Sequence, residues 1–197
     1  MIRAYRPADR AAVHDVCVRT ADAGGDARGQ WSTDDLMPDL FAGPYLHLEP
    51  ELAFVLDDGG RAVGYVLGTR DTAAFHARAR REWVPLVAGK YREPASPAEA
   101  DLLGILFGPV PSPPPELAGH PAHLHIDLLP AYQRQGHGRA LLDRFRAAVR
   151  VPVHLGMATR NTAARAFYDR YGFRELARTP ELTYLGIDAP TTDLAGL

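Results

Sequence analysis

The sequence predicts an α/β domain, and three stretches predict it. An apolar strand-like run, Leu124 to Leu129, is closed by Pro130, passes through a turn with two glycines and enters a helical pattern. A second strand, Val153 to Ala158, leads to a helix over Ala163 to Tyr171, with an N-cap at Asn161-Thr162 and a stop at Gly172, and back to an extended stretch, Phe173 to Ala177. Earlier, Leu52 to Leu56 and Ala62 to Thr69 flank Asp57-Asp-Gly-Gly60, a hairpin signal. At 197 residues the chain reads as one domain, 1–197, large enough to bury a core without disulfides or metals.

The elements follow in order. Ile2 to Tyr5 is a first strand, and Pro7-Ala8-Asp9 opens a helix through Val18. Gly24 to Gly29 is a polar loop. Ser32-Thr-Asp-Asp offers a start for a second helix, ending near Gly43-Pro44. Gly64 and Gly68, inside the third strand, imply a bulge or a close neighbour. About fifty residues, 71–121, then separate this strand from the fourth, far more than an ordinary connection. Ala73 to Lys90 predicts a helix, with Phe75, Ala79 and Trp83 on one face, and Ala98 to Leu106 a second. Pro109 to Pro115 is too rich in proline for helix or central strand. The insertion can serve as a lid or substrate-binding wall, or as a packing element or homodimer contact.

Composition excludes several classes. Hydrophobic residues make up 46% and charged residues 23%, which is ordinary globular usage. A net charge of −2 offers no global attraction to nucleic acid or membrane. The lone Cys17 permits no intrachain disulfide, and its helical spacing with Val13 and Val16 suits a buried small hydrophobe better than a nucleophile. The N-terminus lacks a signal-peptide apolar region and no stretch approaches a transmembrane span, so the expected location is cytoplasmic. No metal-ligand spacing stands out.

The turn Arg134-Gln135-Gly136-His137-Gly138-Arg139 holds most of the functional information. Strand, glycine turn and helix N-terminus together make a pyrophosphate cradle: glycine permits unusual dihedrals and close approach, and the first-turn N–H groups point at the anion. Arg134 and Arg139 add positive charge. No Gly-Lys-Ser/Thr follows, so this is not a P-loop. Leu141 stands where the dinucleotide fingerprint needs its third glycine.

Gln133-x-x-Gly136-x-Gly138 resembles the Q/R-x-x-G-x-G/A signature of the GNAT (Gcn5-related N-acetyltransferase) superfamily. Asn161-x-x-Ala164-x-x-Phe167-Tyr168-x-x-Tyr171-Gly172-Phe173 resembles its second block. Two blocks in the right order are far more specific than one, and the likeness is clearest over 122–177. The resemblance implies the GNAT fold: a mixed sheet splayed between its fourth and fifth strands, helices on both faces, and here a helical and Pro-rich insertion between strands three and four. It implies acetyl-CoA as acetyl donor, with the pyrophosphate on the 134–139 turn and pantetheine on the backbone of Leu128 and Leu129. Asn161 and Ala164 lie at the start of the following helix, on the cofactor side. Within the superfamily, Leu124-His-Ile-Asp-Leu-x-Pro130 and the glycine turn look like the acetyltransferase-like C-terminal domain of eukaryotic O-GlcNAcases and its free-standing bacterial relatives.

Alternation sends Leu124, Ile126 and Leu128 to one face of the fourth strand and His123, His125 and Asp127 to the other. A central strand covered on both sides should be apolar throughout, so three ionisable groups imply a cleft. Asp127, nearest the turn, is the first candidate for general base or amine-binding carboxylate, and His125 the second. Each could instead be a satisfied structural group. Tyr168 stands where many GNAT enzymes carry a tyrosine that serves the departing thiolate; otherwise it packs beside Phe167 and Tyr171. The expected reaction is acetyl transfer to a primary amine of a small molecule or peptide. The rival is a cofactor-binding pseudo-acetyltransferase that acts as a protein-interaction module.

Overall fold

The computed structural model describes residues 1–109 and 112–191. Its centre is a seven-stranded mixed sheet in the order β1-β2-β3-β4-β5-β7-β6. The strands are β1 (Ile2–Ala4), β2 (Phe54–Asp58), β3 (Arg61–Thr69), β4 (Ala122–Leu128), β5 (Val153–Ala158), β6 (Arg174–Arg178) and β7 (Leu182–Ile187). All neighbours are antiparallel except β4 and β5, which run parallel and pair only at Ala122–Val153 and His123–His154. Beyond that point β5 pairs with β7 along its length, while β4 continues beside β3 alone. The sheet therefore opens between β4 and β5, as the resemblance implied. β7 was not legible as a strand and completes the far half of the sheet.

Helices cover both faces. On one side lies α7 (His137–Val149), whose apolar stripe buries Leu141, Leu142 and Phe145 completely. Each such side chain contributes roughly 1.5–3 kcal/mol on leaving water. On the other side lies α1 (Arg10–Val18), with Val13, Val16 and Cys17 inward. Gly68 of β3 lets the α7 face approach. A Cβ there would sit 2.7 Å from the Phe145 ring and 2.9 Å from Leu124 Cα, and closer still to the His123 carbonyl. Gly68→Ala should cost about 1–3 kcal/mol, read as a drop in thermal midpoint, because backbone rather than a flexible tip must move. An unchanged midpoint would show that β3 and β4 yield at this point.

One expectation about helix boundaries needs correction. The second helix starts at Leu36, not at Ser32, because the Ser32 hydroxyl and N–H both donate to the Glu99 carboxylate of the insertion. Its end near Gly43-Pro44 is as expected: α2 (Leu36–Phe41) stops at Phe41, and a new helix, α3 (Gly43–Leu48), begins there, with Pro44 in a first-turn position that needs no N–H.

The insertion is helical but broken. The helix expected over Ala73 to Lys90 is α4 (Thr72–Arg78), a π-turn (Ala79–Trp83), α5 (Val84–Val87) and a 3-10 turn (Ala88–Lys90). Pro85 has no N–H to donate to the preceding turn, which accounts for the break at α5. The expected face survives: Phe75 and Trp83 are buried. After it, α6 (Pro97–Phe107) is capped by Ser96, whose hydroxyl accepts from Glu99 N–H. Trp83, Val87 and Leu106 form a small second core, and Trp83 Nε1 donates to Asp39 O at 2.8 Å. The insertion is thus packed onto α2 and α3. Of the proline run, Val110 and Pro111 lie outside the described residues; Ser112 to Pro114 are irregular and Pro115–Leu117 is a 3-10 turn. Among the described residues no helix is long and apolar enough to cross a membrane.

Candidate active site

The glycine turn lies at the open end of β4. A 3-10 turn, Pro130–Tyr132, follows the strand, and Gln133 Nε2 donates to Leu128 O at 2.9 Å, tying the turn to the strand end. Gln135 Nε2 donates to Ala131 O at 2.6 Å. Arg134, at φ 60, and Gly136, at φ 85, take left-handed conformations that reverse the chain into α7. Gly136 is the N-cap residue and no side chain caps the helix. The N–H groups of His137, Gly138 and Arg139 therefore have no intrahelical or capping acceptor. By contrast α4, α6 and α8 (Thr162–Tyr171) are capped by Asp71, Ser96 and Asn161. Arg134, Gln135 and Arg139 are exposed, and the Arg139 guanidinium rests 5.2 Å over the Tyr171 ring of α8. The Gly138 position is open to a Cβ only at 3.0 Å from Phe167.

The gap between β4 and β5 exposes backbone. Leu129 N–H donates to Val63 O at 3.0 Å, so this residue is turned towards β3 and its N–H is not free for a ligand. That corrects the expectation that Leu128 and Leu129 both face the gap. Antiparallel alternation turns the N–H groups of Ile126 and Leu128 away from β3, towards the opening. The Leu128 carbonyl is already taken by Gln133.

The opposite face of β4 carries His123, His125 and Asp127, directly across from Thr69, Leu67 and Tyr65 of β3. Tyr65 OH donates to Asp127 Oδ2 at 2.6 Å. Burial pushes the Asp127 carboxyl up to about 6, although the Tyr65 and Thr20 hydroxyls pull it down. Burial lowers His125 to about 4 and holds His123 well below its ordinary value, with neighbouring histidines adding to the effect. Both rings are neutral at neutral pH. Tyr45 of α3 bridges them, 2.6 Å from His123 Nε2 and 3.1 Å from His125 Nε2. Tyr168 is buried, and its phenol is raised first by burial and then by the Asp127 charge, so it keeps its proton at neutral pH. Cys17 is buried behind Tyr65, and burial pushes its thiol up to about 12, leaving no thiolate.

Asn161 caps α8, as its place before Ala163 predicts. Its Oδ1 accepts from Ala164 N–H at 3.0 Å, so the capping pair satisfies itself. Tyr65, Tyr45 and Thr72 escaped the sequence reading. Tyr65 and Thr69 share the face of β3 that meets Asp127 and His123, a signal that period-two alternation offers once the β3–β4 register is known. Tyr45 sits on a six-residue helix behind a proline, with no local sign of its role. Among the described residues no three His, Cys, Asp or Glu side chains are arranged to hold a metal ion.

Comparison with known proteins agrees with this geometry. A family model described as an acetyltransferase (GNAT) domain matches residues 114–175. Protein O-GlcNAcase of Rattus norvegicus is 33% identical over 132 residues, which is 64% of this chain and 14% of that protein. The chain thus spans about 14% of the length of the curated relatives it matches. The crystal structure of SsHAT superposes with a TM-score of 0.91 at 52% identity, covering 97% of this chain and 98% of that one. The structure of yncA, a putative acetyltransferase from Salmonella typhimurium with its cofactor acetyl-CoA, shares the fold at a TM-score of 0.56 and 16% identity, covering 98% of each chain. The chain belongs to the GNAT acetyltransferase superfamily.

Proposed function

We propose that the protein is an acetyl-CoA-dependent N-acetyltransferase whose acceptor is a primary amine that attacks directly in a ternary complex. The observation that carries this reading is the uncapped N-terminus of α7, with Gly136 at φ 85, placed at the mouth of the β4–β5 opening. Unpaired N–H groups aligned with a helix dipole suit a pyrophosphate. Arg134, Gln135, Gly136, His137, Gly138 and Arg139 surround it. The N–H groups of Ile126 and Leu128 suit an extended pantetheine chain, added to the sheet like a strand. Acetyl-CoA supplies the activated acetyl group and a thiol leaving group.

The protein's own groups divide the proton handling. A protonated amine has no lone pair, so the acceptor must lose a proton, and Asp127, largely ionised at neutral pH, receives it directly or through water. The same carboxylate attracts a cationic acceptor. On this reading Tyr168, which keeps its proton at neutral pH and feels the Asp127 charge, serves the departing thiolate. The decisive experiment is a thiol-release assay with acetyl-CoA across small amines, amino sugars, aminoglycosides and lysine peptides. Amine-dependent release supports the reading. Silence across the panel, with acetyl-CoA still bound, marks a scaffold without chemistry.

Tyr168→Phe should lower kcat by about 10–100-fold and leave acetyl-CoA affinity unchanged, since only a contact made in the transition state is lost. An equal loss in affinity, or a fall in thermal midpoint, would mark Tyr168 as a packing residue between Phe167 and Phe173.

A further inference from the structure

The hydrogen bonds around His125 fix where its ring proton sits. Thr72 Oγ1 lies 2.8 Å from Pro121 O and 2.8 Å from His123 Nδ1. A carbonyl only accepts, so the single hydroxyl hydrogen of Thr72 goes to Pro121 O. The contact with His123 must then be made by Nδ1–H. A neutral imidazole has one N–H, which leaves His123 Nε2 as a lone pair. Tyr45 OH, 2.6 Å away, donates to it. Its only hydrogen spent, Tyr45 can meet His125 Nε2 at 3.1 Å only as acceptor. The proton of His125 is therefore on Nε2, and Nδ1 carries a lone pair. That atom has no hydrogen-bond partner among the described residues, nor is it one of the buried atoms left unpaired.

The surroundings hold this arrangement in place. Phe75 stacks on Tyr45 at 4.3 Å and meets the His123 ring edge-on at 5.6 Å. Phe41 lies 5.6 Å from the His125 ring. The rings of His76, His154 and His125 face His123, so a second proton on His123 would meet other bases rather than a carboxylate. His154 Nδ1 already donates to His120 O at 2.7 Å. Thr72 and Phe75 both belong to α4, the first helix of the insertion. The extra segment thus supplies one end of the chain of hydrogen bonds.

We propose that Thr72, His123 and Tyr45 are positioning residues that hold His125 in its Nε2–H tautomer, so that the Nδ1 lone pair accepts an N–H of the amine acceptor beside Asp127. This rests on the reading of the β4 face as the acceptor site. A neutral primary amine has two N–H groups and one lone pair. Once the proton taken from the ammonium has passed from Asp127 to solvent, the carboxylate holds one hydrogen and His125 the other, and the lone pair is left for the thioester. A secondary amine offers one hydrogen to two acceptors, and a hydroxyl likewise, so the device selects primary amines. The opposite tautomer would present an N–H to a cationic acceptor and repel it.

Long-range proton–nitrogen correlation spectra of the isotopically labelled full chain test the assignment without any turnover. The expected result at neutral pH is His123 protonated at Nδ1 alone and His125 at Nε2 alone, with the His125 signal assigned by its loss in His125→Gln. A His125 ring protonated at Nδ1, or at both nitrogens, overturns the proposal. In kinetics, Tyr45→Phe and Thr72→Val should each reduce kcat/KM for the amine by about tenfold, the worth of one buried hydrogen bond. Both should leave acetyl-CoA affinity unchanged and weaken the preference for a primary amine over its N-methyl derivative. Thr72→Ser, which keeps the hydroxyl, should restore activity. Unchanged selectivity in Tyr45→Phe, with the tautomers as derived, overturns the acceptor role and leaves only packing. Failure of the wild type to bind acetyl-CoA would instead sink the acetyltransferase reading and leave the tautomers standing.

Discussion

Gly136→Asp should weaken acetyl-CoA binding by more than about a hundredfold, measured by titration calorimetry. Two physical effects combine. The residue sits at φ 85, where a side chain costs roughly 1–3 kcal/mol, so the turn is strained or rearranged. The new carboxylate also stands at the mouth of an uncapped helix, where it can take the N–H groups of the first turn for itself. Against a pyrophosphate charge about 4 Å away, at an effective dielectric near 20, the repulsion is about 4 kcal/mol. Gly136→Ala separates the two effects. A Cβ at this position meets nothing within 4 Å, so the alanine variant carries only the dihedral strain and should lose less affinity. If the aspartate variant binds as the wild type does, the pyrophosphate is not on this turn. If alanine and aspartate lose equally, strain alone decides and the charge argument fails.

What the sequence made legible is the part of the molecule built from local rules. The glycine turn, the apolar stripe of α7 and the cap and stop of α8 at Asn161 and Gly172 are short-range patterns, and each lies where the spacing put it. The polar face of β4 was legible for the same reason, since period-two alternation needs no knowledge of neighbours. What stayed hidden depends on contacts between distant segments. Tyr65 meets Asp127 across sixty-two positions, and Tyr45 meets His123 across seventy-eight. No local pattern distinguishes those tyrosines from core residues. Ser32 failed as a helix start because Glu99, far along the chain, captures it. Leu129 looked like a ligand-facing residue until the β3–β4 register gave its N–H to Val63. Break positions inside the insertion follow from Pro85, a local signal that the apolar spacing of Phe75, Ala79 and Trp83 overshadowed.

Asp127→Asn should lower turnover by about 10²–10⁴-fold at neutral pH without weakening the fold. The two halves of that statement come from one shift. The carboxyl titrates near 6 in the folded protein, because burial opposes its charge, against about 3.9 in an unfolded chain. A folded value above the unfolded one means the native state binds the proton more tightly. The stability this contributes is fully present below the unfolded value and is lost as pH rises through about 6. At neutral pH the ionised group therefore costs at most about 3 kcal/mol, a burden that an uncharged amide does not carry. The amide oxygen can still accept from Tyr65. The thermal midpoint of the variant should match or exceed that of the wild type near pH 7, measured by calorimetry. In the wild type, kcat/KM for the amine should rise with pH through an apparent value near 6, as the carboxylate forms. In the variant that limb should vanish, and activity should recover in part at high pH, where free amine is abundant. A variant fully active at every pH would make Asp127 structural and leave His125 as the leading group for the acceptor. A variant that unfolds at neutral pH would show that the Tyr65 bond to the charged carboxylate outweighs the penalty of burying it.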